Sequence, residues 1–242
     1  MNIWGLIIGG AAGLAVGGPI GALLGAAAGM VAEHQIRRRS DPEQARKVAF
    51  TVAVIALSAK MAKADGIVTK SEIEAFRSRV DIPQKDVKRV GEFWDLARQT
   101  PTGFTAYAQQ TVDLFGPRSA ILEQLLDLLF TIARADGDIT SEEWSYLSEV
   151  AGIFGYDEAG FSRLSDIHSG ASPPPHLVLG ISPDASLEEA KAAWKALART
   201  HHPDQLIAAG MPEEFISAAT DRLAQINNAY QTLAGQIRSR TA

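Results

Sequence analysis

The polarity of the chain changes character near residue 32. Met1 to Ala32 holds no charged side chain, whereas from Pro42 onward apolar residues recur at three- and four-residue spacing among charged ones. An uncharged run of that length, wound as a helix, crosses a hydrocarbon core of about 30 Å, so residues 1–32 are expected to form a glycine-rich membrane span. Within it Gly5, Gly9, Gly13, Gly17, Gly21, Gly25 and Gly29 stand at every fourth position and draw a slowly drifting stripe along one side of a helix. Such a stripe lets two backbones approach closely and predicts a homodimer packed through the span; an Ala/Gly-rich span without a specific partner has the same composition. Pro19 interrupts a regular helix, so a straight span and one broken near Pro19 both fit.

Residues 33–47 form a basic juxtamembrane segment that contains Arg37, Arg38 and Arg39, while nothing ahead of the apolar run carries a charged side chain. Positive charge on the C-terminal flank predicts a single pass through a bacterial inner membrane, with the N-terminus outside and the remaining domains in the cytoplasm. A cleaved signal peptide has a basic n-region and a shorter apolar run, and this N-terminus has no Lys or Arg ahead of the run.

The pattern from there on is helical. Asp41 as N-cap, Pro42 at the first helical position and Gln44 closing a capping box start a helix expected to reach about Ala64. Its Val48, Ala49, Val52, Ala53, Ile55, Ala56 and Ala59 cover a broad apolar face, which predicts burial among other helices. Further amphipathic stretches lie near Lys85 to Arg98, Thr102 to Phe115 and Arg118 to Ala135.

An internal repeat organises this region. Ala62-Lys63-Ala64-Asp65-Gly66-Ile67-Val68-Thr69-Lys70-Ser71-Glu72 returns as Ala133-Arg134-Ala135-Asp136-Gly137-Asp138-Ile139-Thr140-Ser141-Glu142-Glu143. In each copy the glycine lets one helix stop at positive φ, the threonine caps the next, and the glutamate three residues on completes a capping box. The paired corners resemble the TerB-type domain, named from tellurite-resistance proteins, and a TerB-like helical bundle is expected over 48–165. Some domains of that family are described as binding divalent cations, so the resemblance makes Asp65, Glu72, Asp136, Asp138 and Glu143 candidate oxygen ligands. Capping and turn chemistry accounts for the same residues. The corners lack the calcium-loop pattern of alternating ligands and a distant bidentate Glu, and Ile67 stands where the second copy has Asp138.

Small residues and prolines cluster over 166–175, ending in Ser172-Pro173-Pro174-Pro175, a composition that marks a linker. The remainder, 176–242, opens with a short apolar turn closed by Gly180 and continues into a helix whose box is Ser186 with Glu189. That helix buries Ala190, Ala193, Trp194 and Leu197, leaving Lys191, Lys195 and Arg199 as a basic ridge at i, i+4 and i+8. His202-Pro203-Asp204 breaks it, because the residue before proline avoids the α conformation. A final helix is expected from about Pro212 to Gly235, with Phe215, Ala218, Ala219, Leu223, Ile226, Ala229, Tyr230 and Leu233 at helical spacing.

The order of apolar turn, basic helix, His-Pro-Asp and a helix containing Ile226-Asn227-Asn228-Ala229-Tyr230 resembles a J-domain from about His176 to Ala234. The resemblance implies that His202, Pro203 and Asp204 contact a DnaK-type ATP-dependent chaperone and promote its ATP hydrolysis, while Lys191, Lys195 and Arg199 dock on an acidic surface. Two departures stand out: Gln205 replaces the usual Lys, and His176-Leu177 replaces the usual Asp-Tyr. Leu206 to Pro212 reads as an insertion that lengthens the connection to the last helix. Span, TerB-like bundle and J-domain in that order resemble the membrane-anchored DnaJ-like co-chaperones.

Global composition adds exclusions. A net charge of −5 gives no overall reason for a nucleic-acid partner, and the absence of cysteine removes disulfides, thiolate metal sites and Cys nucleophiles. No phosphate-binding Gly-rich loop, HExxH or GxSxG motif is present, so no catalysis and no cofactor of the chain's own are expected. The expected class is an all-α co-chaperone at a membrane, with client proteins the sequence does not name. The rival reading is a metal-responsive stress protein whose TerB-like domain binds a divalent cation.

Overall fold

The computed structural model describes residues 3–8, 18–29, 42–62, 70–99, 103–169 and 172–241, and all regular structure among them is helical. Two short helices come first, α1 (Ile3–Ile8) and α2 (Gly18–Gly29), the latter with Pro19 in its first turn, where a missing N–H costs nothing. Gly5, Gly21, Gly25 and Gly29 lie in these helices; Gly9, Gly13, Gly17 and the three arginines at 37–39 fall outside the described residues. Among the described residues no helix is long and apolar enough to cross a membrane. Trp4, Ile20, Leu23 and Leu24 are instead buried against the helical domain, where the Trp4 indole N–H donates to the Asp81 carbonyl at 3.0 Å. Burial of apolar surface is non-directional, so the side chains that suit lipid also suit a protein groove.

The core of the middle region is α3 (Pro42–Met61), opened by Pro42 as its sequence predicts. Residues 48–59 are all buried, and a helix apolar around its whole circumference belongs at the centre of a bundle. Around it lie α4 (Lys70–Arg79), α5 (Val87–Gln99), α6 (Phe104–Phe115), α7 (Ala120–Ala133), α8 (Ser141–Ile153) and α9 (Glu158–His168). The Tyr146 hydroxyl on α8 donates to the Leu57 carbonyl on α3 at 2.8 Å, tying the second half of the repeat to the central helix.

The C-terminal part comprises α10 (Pro175–Leu179), α11 (Leu187–Thr200), α12 (Pro203–Ala209), a 3-10 turn at Glu213–Phe215 and α13 (Ile216–Thr241). The expected insertion, Leu206 to Pro212, is thus ordered: it begins within α12 and ends where the 3-10 turn starts. Gly235 does not end the last helix: it stays helical, and Ile237 beyond it still packs on the small core. The 3-10 turn and α13 together serve two cores. Phe215 and Ala219 join the middle domain, with Phe215 edge-on to Phe50 at 5.1 Å, whereas Ile226, Ala229 and Leu233 pack with Val178, Leu179 and Ala190.

Candidate functional site: an exposed His-Pro-Asp corner

α11 starts at a complete capping box. The Ser186 hydroxyl accepts the Glu189 N–H at 3.2 Å, and the Glu189 carboxylate accepts the Ser186 N–H at 2.7 Å. The Ser186 N–H and hydroxyl, both donating to that carboxylate, hold it below its ordinary pKa. Trp194 fixes the pairing with α13, its indole donating to Asn227 Oδ1 at 2.8 Å and its ring stacking on Tyr230 at 4.7 Å. Since His201 at the end of α11 faces Glu123, which also holds Arg222 near the start of α13, the two helices run antiparallel.

The ridge residues Lys191, Lys195 and Arg199 are all exposed, and none makes an ion pair among the described residues. α11 closes on His201; His202 is then extended (φ −64°, ψ 132°), and Pro203 begins α12 at its first position. The tripeptide is therefore a helix-helix corner in which His202 caps the second helix: the Asp204 N–H donates to His202 Nδ1 at 3.2 Å. The side chains of His202 and Asp204 are 49% and 82% exposed, so both reach solvent beside the ridge.

What local pattern did not disclose is how this corner is held. His201, the residue just before it, is 2% exposed and faces Glu123 Oε2 of α7 at 3.9 Å. Glu123 Oε1 accepts from Arg222 Nη2 of α13 at 2.7 Å, and Asp127, one turn along α7, faces Arg222 Nε at 3.4 Å and His168 Nε2 of α9 at 2.8 Å. Burial by itself raises the Asp127 pKa, but Arg222 and the His168 hydrogen bond outweigh it and hold the carboxyl well below the usual range. Burial pushes the His201 pKa down, against the opposing pull of Glu123. The signal in the sequence was small: two carboxylates four residues apart in the otherwise uncharged Ile121 to Phe130, and one arginine on the inner side of α13.

The repeat corners are placed as follows. In the second copy Gly137 has φ +142° and Thr140 and Glu143 form the predicted capping box, with Glu143 Oε2 accepting from Thr140 N and Oγ1 at 2.9 Å each. Asp136 and Asp138 are exposed on the turn, and Glu72 is buried in the first turn of α4. Asp65 lies outside the described residues. Among the described residues no group of three or more acidic or imidazole side chains is gathered as for a metal ion.

A basic helix ending in an exposed His-Pro-Asp corner and closed by an antiparallel helix defines the J-domain class, and the DnaJ domain profile matches residues 175–240. The profile of tellurite resistance protein TerB matches residues 51–166, and that of the co-chaperone DjlA transmembrane domain matches residues 1–39. Among curated relatives, Co-chaperone protein DjlA of Coxiella burnetii is 27% identical over 96% of this chain and 97% of its own length. Those of Vibrio cholerae and Vibrio vulnificus strain YJ016 are 26% and 28% identical, each over 79% of this chain and 80% of their own length. No solved structure matches the chain. The three segments in this order, with relatives along most of the chain, place it in the family of DjlA-type, membrane-anchored DnaJ-like co-chaperones.

Proposed function

We propose that this co-chaperone stimulates ATP hydrolysis by a DnaK-type chaperone through His202, Pro203 and Asp204, with Lys191, Lys195 and Arg199 steering the encounter. The observation that carries the reading is the joint exposure of His202 and Asp204 at the end of a ridge of three cations free of ion pairs among the described residues. Unpaired cations on one face attract an acidic partner and raise the encounter rate, while a proline-stiffened corner loses little conformational freedom on docking. The chemistry belongs to the partner, and the chain contributes no catalysis of its own. Arg37, Arg38 and Arg39 support a single pass with the folded part in the cytoplasm at the inner membrane. The glycine stripe supports pairing of two spans, and the middle domain is the surface left for clients.

Steady-state ATP hydrolysis by the chaperone, with the full chain in vesicles, tests the proposal. Wild type accelerates turnover and His202→Gln does not; equal rates with both overturn it. A reporter fused after Ala242 is active in the cytoplasm, and periplasmic activity overturns the orientation. The cation reading of Asp65, Glu72, Asp136, Asp138 and Glu143 rests on family resemblance. Calorimetric titration with Ca²⁺, Mg²⁺ and Zn²⁺, each producing no binding heat, would remove it.

A further inference from the structure

Three cations and a tripeptide make a small footprint, whereas stable protein–protein interfaces occupy about 800 Å² and roughly 20–30 residues on each partner. A partner seated on Arg199 and Asp204 meets whatever adjoins Thr200 and Gln205. What adjoins them is the middle domain. Thr200, Gln205 and Leu206 form one wall of a cleft of about 240 Å³ whose other wall carries Arg46 of α3, Phe115 of α6 and Ser119.

Among the described residues Arg46 is the only charged one lining that cleft, and it is exposed and makes no ion pair. Its neighbour Lys47 is paired with Glu43 at 2.6 Å, so Arg46 is the cation this turn of α3 leaves available. Its stem lies against α12's end: a Cβ on Gly210 would sit 3.0 Å from Arg46 Cβ. The Ser119 hydroxyl is buried there without a hydrogen-bond partner among the described residues, and the start of α7 has no side-chain cap from it. Arginine, a vacant hydroxyl and the positive end of a helix all suit carboxylates.

We propose that the chaperone-docking surface is composite, running from the ridge across the His-Pro-Asp corner onto the TerB-like domain, where Arg46 takes an acidic group of the same chaperone. The proposal rests on the functional reading above. It makes the middle domain part of the recognition surface, so the J-domain and the domain it sits on are read together.

The test uses the full chain in vesicles and the chaperone with ATP. Arg46→Glu raises the co-chaperone concentration giving half-maximal stimulation by about three- to tenfold and leaves maximal stimulation unchanged, while Arg89→Glu on α5 leaves both unchanged. Because the chain has no cysteine, Arg46→Cys carries the sole thiol, and a photocrosslinker on it captures the ATP-bound chaperone where one on Arg89→Cys does not. Crosslinking remains informative if Arg46→Glu lowers the unfolding midpoint. Unchanged half-saturation with Arg46→Glu, or capture no better at position 46 than at 89, overturns the composite surface. In that event loss of stimulation in His202→Gln still upholds the functional reading, whereas absence of stimulation by wild type removes the reading itself.

Discussion

Arg222 and Glu123 stand 99 residues apart in the chain and meet at 2.7 Å with side chains 4% and 11% exposed, joining the J-domain to the TerB-like domain by a buried ion pair. Asp127 adds a second carboxylate at 3.4 Å from Arg222, and Tyr156 donates to Glu123 Oε2 at 3.4 Å. Desolvation opposes such a cluster, and only mutual pairing offsets it, so its members are matched to one another more than to the fold. Its consequence is positional. The same carboxylate that holds α13 faces His201, and the next residue is the first of the tripeptide.

Removing Arg222 alone therefore leaves two buried carboxylates without their main counter-charge. Arg222→Met is expected to destabilise the chain by about 3–5 kcal/mol, and replacing the cluster together by Arg222→Met, Glu123→Leu and Asp127→Leu to destabilise it less. Thermal unfolding in detergent checks the order. A triple variant less stable than the single one contradicts the account.

Acid should loosen the junction in two steps. Unfolded His201 binds its proton near pH 6.5, while the buried ring binds it only at lower pH, so below about pH 6.5 the unfolded state holds more protons and stability falls as pH falls. Asp127 acts in the same direction in a lower window. Its carboxylate supports the fold above the unfolded pKa of about 3.9, and that contribution is lost as pH falls toward its depressed folded value. The unfolding midpoint of wild type is expected to drop between about pH 7 and 5.5, and His201→Leu to flatten that stretch. Equal slopes in the two proteins would remove His201 from the explanation.

The features legible in the sequence were those with a local cause. Thr140 with Glu143 and Ser186 with Glu189 announce helix starts because capping bonds close within three residues, and Pro203 forces His202 out of the helix wherever the chain goes next. The ridge was equally legible, since Lys191, Lys195 and Arg199 share a face by helix geometry. Contacts between distant segments leave no such period. Leu206 to Pro212 reads as spare loop, yet Leu206 and Met211 are buried in the middle-domain core and make the dock for the J-domain. The helix length of residues 1–32 was the least legible point. Gly and Ala are compatible with lipid and with close protein packing alike, and only α1 and α2 of that stretch are described.

Two glycines of the J-domain should respond oppositely to the same substitution. Gly210 has φ +113°, and a Cβ there would lie 3.0 Å from Arg46 Cβ and 3.2 Å from the Phe115 ring, so Gly210→Ala strains the backbone and presses on the dock at once. A loss of about 1–3 kcal/mol is expected. Gly235 is exposed within α13 with nothing within 4 Å of an added Cβ, so Gly235→Ala removes backbone freedom from the unfolded chain without a clash. It should gain about 0.5–1 kcal/mol. Limited proteolysis separates the sites as well as the signs: Gly210→Ala exposes residues 203–215 to cleavage while α11 and α13 stay protected, because Trp194 remains bound to Asn227 and stacked on Tyr230. If Gly210→Ala leaves that segment as resistant as in wild type, the tight approach of Arg46 and Phe115 does not hold the two domains together.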